Sequence, residues 1–268
     1  MAIISSLKLA YGNHPSQFGV LRLPDASGKC PVVVTIHGGF WKAKYGLEEI
    51  SPLDEDLAKR GYATWNIEYR RIGEPGGGWK GTFHDAVDSV NFLSQLEKDF
   101  PLDLSHVVII GHSAGGHLAL WLASRIDKPN RDEMDDFLQI PIKGVISLAG
   151  VSDLETMWEI DAQNGIDSPV ANLIGGTPKE FPDRYHFASP IERLPMNIPQ
   201  ILFHGDSDAE VPVELSLEYY HRAVGLKDQV DLAILPETDH FMLIDPLSAA
   251  WESVAHSLNK LIFGVACN

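Results

Sequence analysis

Cysteine is almost absent: Cys30 and Cys267 are the two in 268 residues. They lie near opposite ends and outside any CxxC or metal-ligand spacing, which excludes a disulfide framework and a cysteine zinc site and leaves two free thiols. Long apolar runs are also missing, and none approaches the roughly 20 residues that a membrane-spanning helix needs. The apolar residues at the start are interrupted by Ser5, Ser6 and Lys8, with no basic stretch ahead of them. No secretion signal is therefore expected, and a cytoplasmic location is. Basic residues are scarce, 21 Lys and Arg against 37 Asp and Glu, for a net charge of −16. The densest basic spot, Arg70-Arg71, is flanked by Glu68 and Glu74, so nucleic acid is not an expected partner. At 44% hydrophobic residues the chain has ample material for a folded core, and disorder is excluded.

Short β-branched apolar runs alternate with stretches of helical period, the pattern of an α/β chain with a mostly parallel central sheet and helices on both faces. The expected strands are Pro31–His37, Tyr62–Tyr69, His106–Gly111, Lys143–Ala149, Pro199–His204 and Val230–Leu235, with Phe18–Leu23 as a leading edge strand. Helices are expected over Glu48–Arg60, Thr82–Lys98, Ser113–Arg125, Val213–Val224 and Pro246–Phe263. Residues 153–195 break this rhythm with Gly, Pro, Asn and aromatic residues, and read as a small cap inserted in a single domain spanning 1–268.

Gly111-His112-Ser113-Ala114-Gly115 fits G-x-S-x-G in the context that gives the pattern meaning, after an apolar strand and before an Ala/Leu-rich helix. A sharp strand-to-helix turn pushes a serine hydroxyl outward, and the flanking glycines let strand and helix approach closely. That hydroxyl needs a base and a group to orient the base. His240 follows a strand and lies in a polar turn at the sheet's carboxyl end, where open α/β sheets bind ligands. The acid is expected from the loop after His204, where Asp208 is the first choice and Asp206 the alternative. The same loop has an H-x-D-x-D look, but a metal site is not expected, nor is any cofactor. Oxyanion donors are expected from His37-Gly38-Gly39-Phe40-Trp41, where the amides of Gly39 and Phe40 join that of Ala114 while His37 holds the loop.

Together HGGFW, GHSAGGHL, HGDSDAEVP and DHF resemble the α/β-hydrolase superfamily across nearly the whole chain. The HGGxW form followed by GHSAGxHL resembles its small carboxylesterase and kynurenine formamidase (arylformamidase) branch. The resemblance implies an α/β-hydrolase fold with Ser113 as nucleophile, His240 as base, Asp208 as orienting acid, and an oxyanion hole of Gly39, Phe40 and Ala114 amides. Phe40 departs from the third glycine of the hormone-sensitive-lipase-like branch, so it can donate only with its side chain turned away. The expected activity is cleavage of small or aryl carboxylic esters through an acyl-enzyme. The alternatives are N-formyl hydrolysis by an arylformamidase, peptide cleavage of the prolyl-oligopeptidase kind, for which no propeller domain is present in the sequence, and a catalytically silent binding protein on the same fold. Trp41, Trp79, Trp158, Tyr185 and Phe241 are the candidate pocket walls for a small-molecule ester or amide. The oligomeric state is not legible.

Overall fold

The computed structural model describes residues 5–126 and 137–264. Its centre is an eight-stranded sheet: β1 (Ser5–Ala10), β2 (Phe18–Leu23), β3 (Cys30–Ile36), β4 (Ala63–Ile67), β5 (Leu102–His112), β6 (Gly144–Leu148), β7 (Gln200–Gly205) and β8 (Val230–Leu235). The strand order is β1-β2-β4-β3-β5-β6-β7-β8, with antiparallel pairing at β1/β2 and β2/β4 and parallel pairing from β4 to β8. The helices are α1 (Ser51–Lys59), α2 (Gly81–Asn91), α3 (Leu93–Leu96), α4 (Ala114–Ala123), α5 (Leu154–Gln163), α6 (Pro169–Ile174), α7 (Pro182–Ala188), α8 (Val213–Gly225) and α9 (Ala249–Phe263).

The period-2 alternation of strand side chains sorts the core into two layers. Val32, Val34, Val107, Ile109 and Leu202 point to the face covered by α2, α4 and α8. Val33, Val108, Ile110, Ile146 and Phe203 point to the face covered by α1 and α9. Central strands buried on both faces need continuous apolar runs, which is why β3, β5 and β6 stand out in the sequence.

Several boundaries differ from expectation for local reasons. Phe18–Leu23 is an inner strand and not the edge, because β1 pairs outside it with Leu7 opposite Leu21. The edge strand β1 exposes most of its side chains, so it shows no apolar run. Strand β5 begins at Leu102, four residues early, because Cys30 and Pro31 pair with Leu102 and Asp103 before the register shifts to Val32 opposite Val107. The helix expected over Glu48–Arg60 is split: Leu47–Glu49 form a 3-10 turn and α1 starts at Ser51, with Pro52 in its first turn. The one expected over Thr82–Lys98 breaks at Phe92 into α2 and α3. The last helix starts at Ala249 rather than Pro246, where Ser248 Oγ accepts the Trp251 N–H at 2.9 Å.

Residues 153–195 carry α5, α6, α7 and a 3-10 turn, Pro190–Arg193. They are pinned to α4 by two side chains, His117 Nε2 donating to the Ala188 carbonyl (3.0 Å) and Trp121 Nε1 to that of Phe187 (3.2 Å). Cys30 is a buried free thiol, and Cys267 lies outside the described residues. Among the described residues, no helix is long and apolar enough to cross a membrane.

Candidate active site

Ser113 sits between the end of β5 and the start of α4 with φ 55° and ψ −118°, a backbone conformation that non-glycine residues rarely adopt. The turn is held by its amide, which donates to the Leu148 carbonyl at 2.8 Å. Its tightness explains two glycines. A Cβ on Gly111 would lie 2.0 Å from the Gly115 carbonyl oxygen, and one on Gly115 would lie 2.1 Å from that of Ile36. Strand and helix can meet at this separation only without those side chains.

The loop after β7 and the loop after β8 bring an acid and an imidazole together. His240 Nδ1–H donates to Asp208 Oδ2 at 2.6 Å. Asp208 Oδ1 accepts the amides of Glu210 and Val211, both at 2.9 Å, which fixes the carboxylate plane. Burial pushes the Asp208 carboxyl up, but hydrogen bonds from His204 and His240 outweigh it and hold the group far below the ordinary carboxylate range. Asp206, the alternative acid, instead accepts from its neighbour Ser207 in an exposed turn. The H-x-D-x-D look has a different use: the His204 Nε2–H is shared between the Val211 carbonyl (2.9 Å) and Asp208 Oδ2 (3.4 Å), and its Nδ1 accepts from Ser216 Oγ (2.7 Å), so both ring nitrogens are engaged.

His240 and the serine turn are joined through His112. Its Nε2 donates to the His240 carbonyl at 3.1 Å, and the two rings lie 4.5 Å apart. Burial and the neighbouring His240 push the His112 ring down to about 3, so it is neutral. On the other side Gly38 lies against the turn, where a Cβ would be 3.0 Å from Ser113 Cβ. From there the chain runs through three left-handed residues, Gly39 (φ 89°), Phe40 (φ 54°) and Trp41 (φ 55°). Among the described residues, the amides of Gly39, Phe40 and Ala114 have no protein acceptor. For Ala114 this is the ordinary state of a first-turn helix amide, a donor left free for a ligand. His37 anchors the loop, with Nε2 donating to Glu68 Oε1 at 2.8 Å and its ring stacked 4.6 Å from Tyr69.

The expected aromatic wall needs correction. Trp41 and Tyr185 are each 1% exposed. Trp41 packs edge-on to His117 at 5.1 Å, and Tyr185 donates its hydroxyl to the Gly176 carbonyl, so both are core side chains with no surface to offer a substrate. Trp79 is wedged between Phe83 and Phe187, each ring 5.7 Å away, and Trp158 packs on the same core layer. Phe241 alone of the five is exposed, at 55%, with its ring 5.3 Å from that of His240. Tyr45, which covers Gly39, adds a second partly exposed ring that the sequence pattern did not single out. Glu49 and Glu68 were missed as well. Nothing in the sequence distinguishes them from the other acids, because their partners, His37 and Gly38 after β3 and His112 in the serine turn, are brought to them only by the fold.

The BD-FAE family model matches residues 21–222, three-quarters of the chain. The chain belongs to the BD-FAE family. The match takes in Ser113 and Asp208 and ends before His240. Among curated proteins the chain is similar to Esterase LipC of Mycobacterium tuberculosis, 27% identical over 248 residues, covering 89% of this chain and 60% of LipC. The chain spans about three-fifths of the length of the first curated relatives it matches. Among solved structures it is similar to a carbohydrate esterase from gut microbiota, with TM-score 0.81, 19% identity and 96% of each chain covered. It is also similar to Esterase B of Lactobacillus rhamnosis, solved with a tributyrin phosphonate, with TM-score 0.80, 21% identity, and 96% of this chain and 85% of that one covered. This BD-FAE member therefore has the α/β-hydrolase fold.

Proposed function

We propose that the chain hydrolyses carboxylic esters of small or aryl substrates through an acyl-enzyme on Ser113. Ser113 Oγ attacks the ester carbonyl while His240 Nε2 takes its proton. Asp208 keeps the proton on Nδ1 and offsets the charge of the imidazolium. The amides of Gly39, Phe40 and Ala114 receive the oxyanion of the tetrahedral intermediate. Collapse expels the alcohol, which takes the proton from His240, and a water activated by the same imidazole then frees the acid.

The observation that supports this most is the 2.6 Å bond from His240 Nδ1 to Asp208, because it leaves the Nε2 lone pair for a hydroxyl. The unpartnered loop and helix amides beside the strained serine support the second half of the reading. Its similarity to LipC, named an esterase, supports the choice of ester over other acyl groups. Exposed aromatic surface on Phe241 and Tyr45 favours aryl or short acyl groups at the rim. A panel of 4-nitrophenyl esters tests this: acetyl and butyryl esters are turned over faster than those beyond about ten carbons, and Ser113→Ala loses about 10⁶ in kcat. A preference for the long chains refutes the substrate class, and undiminished turnover by Ser113→Ala refutes the mechanism. Faster cleavage of an N-formyl aromatic amine than of any ester in the same panel would instead assign the arylformamidase activity.

A further inference from the structure

Lys42 N–H closes the left-handed turn on the Gly39 carbonyl at 3.0 Å and Ile72 N–H binds the Trp41 carbonyl at 2.7 Å, so the far end of the loop carrying the Gly39 and Phe40 amides is tied, and its root at His37 and Gly38 needs an anchor of its own. Half of that anchor is the His37–Glu68 bond already described, together with Tyr69 Oη, which donates to the His37 carbonyl at 3.1 Å. The other half is Glu49, the last residue of the 3-10 turn Leu47–Glu49, whose Oε2 accepts the Gly38 N–H at 2.8 Å. Its second oxygen, Oε1, lies 3.9 Å from His112 Nδ1. That nitrogen is buried and has no hydrogen-bond partner. Because His112 Nε2 already donates to the His240 carbonyl, the neutral ring turns a lone pair toward the Glu49 carboxylate. One carboxylate thus touches the root of the amide loop and faces, across a single imidazole, the loop that carries His240.

We propose that Glu49 is a positioning residue for ester cleavage, holding Gly38 so that the next two amides meet the oxyanion, and supplying negative charge behind His112 for the imidazolium that forms on His240. This rests on the ester-hydrolase reading above. The charged and titratable groups around the His112–His240 pair are Glu49 from the 3-10 turn, His204 from β7 and Asp208 from the loop that follows it. Asp208 acts directly on His240, and Glu49 acts across the His112 ring.

The test uses the whole chain, with 4-nitrophenyl acetate as substrate. Glu49→Ala loses the Gly38 bond and the charge together, and kcat falls about ten- to hundredfold with KM changed by less than about threefold. Glu49→Gln keeps an acceptor for Gly38 and recovers most of that kcat, yet the acid limb of kcat/KM moves to lower pH by roughly half a unit, since a charge favouring the imidazolium is gone. Glu48→Gln, which removes the neighbouring exposed charge, leaves rate and profile unchanged. Wild-type kcat in Glu49→Ala, or an acid limb in Glu49→Gln that coincides with that of the Glu48→Gln control, overturns the proposal while ester hydrolysis stands. Absence of wild-type turnover together with absence of fluorophosphonate labelling at Ser113 overturns the ester reading and this proposal with it.

Discussion

Asp208→Asn separates the two jobs of one carboxylate. Oδ1 accepts two backbone amides at 2.9 Å, and an asparagine carbonyl can continue to do so. The position of Oδ2 then carries an NH₂ group, which cannot accept the His240 Nδ1–H and instead donates to a bare Nδ1. The ring must carry its proton on Nε2, the atom that has to take the proton of Ser113. A 2.6 Å charge-assisted bond is replaced by the wrong tautomer, and kcat falls about 10⁴-fold, equivalent to about 5 kcal/mol of transition-state stabilisation. Both variants lose the stabilising charge, but because Asp208→Asn keeps the two amide bonds, it unfolds at higher urea than Asp208→Ala, which loses them at a further cost of about 1 to 3 kcal/mol. Steady-state hydrolysis of 4-nitrophenyl acetate and urea unfolding of the same preparations measure both quantities. A kcat for Asp208→Asn within tenfold of wild type would refute the assignment of this carboxylate to His240.

Gly115→Ala places a methyl group 2.1 Å from the Ile36 carbonyl and 2.5 Å from that of His37. Neither backbone can retreat without moving β3, so the variant is destabilised by more than about 3 kcal/mol or fails to fold. An unchanged urea midpoint would contradict the close packing of the serine turn. Asp54 is fully buried among Thr35, Asn66 and Arg22, and burial outweighs their hydrogen bonds and charge to push its carboxyl up to about 7. A folded-state value above the unfolded one means that the native state binds the extra proton. Stability is therefore full below about pH 4 for this group and is lost as pH rises to about 7, by roughly 4 kcal/mol at most. Asp54→Asn removes this slope in urea unfolding between pH 4 and 8, and a wild-type minus variant difference that stays constant with pH would contradict it.

What the sequence made legible follows from how local the signal was. Buried parallel strands need unbroken β-branched runs, so β3, β5 and β6 could be read directly, and the serine turn announced itself because its glycines are demanded by backbone contacts a few residues away. Asp208 could be preferred to Asp206 from its place before Val211-Pro212, and its two bonds to the Glu210 and Val211 amides give the physical reason. What was not legible depends on distant chain. Strand β1 buries too little to leave a pattern. Trp41 and Tyr185 look like pocket residues until α4 and the 169–176 segment close over them. Glu49 gains its meaning only when the 3-10 turn meets Gly38 and His112.

Covalent labelling tests whether Ser113 is an activated nucleophile without knowledge of the natural substrate. Incubation of the intact protein with a fluorophosphonate, followed by peptide mass spectrometry, should find one adduct, on Ser113, formed at least a thousandfold more slowly in His240→Gln, in line with the ~10³-fold or larger losses seen when a serine hydrolase loses its base. An unlabelled Ser113, or labelling that proceeds equally fast without the His240 imidazole, would contradict it.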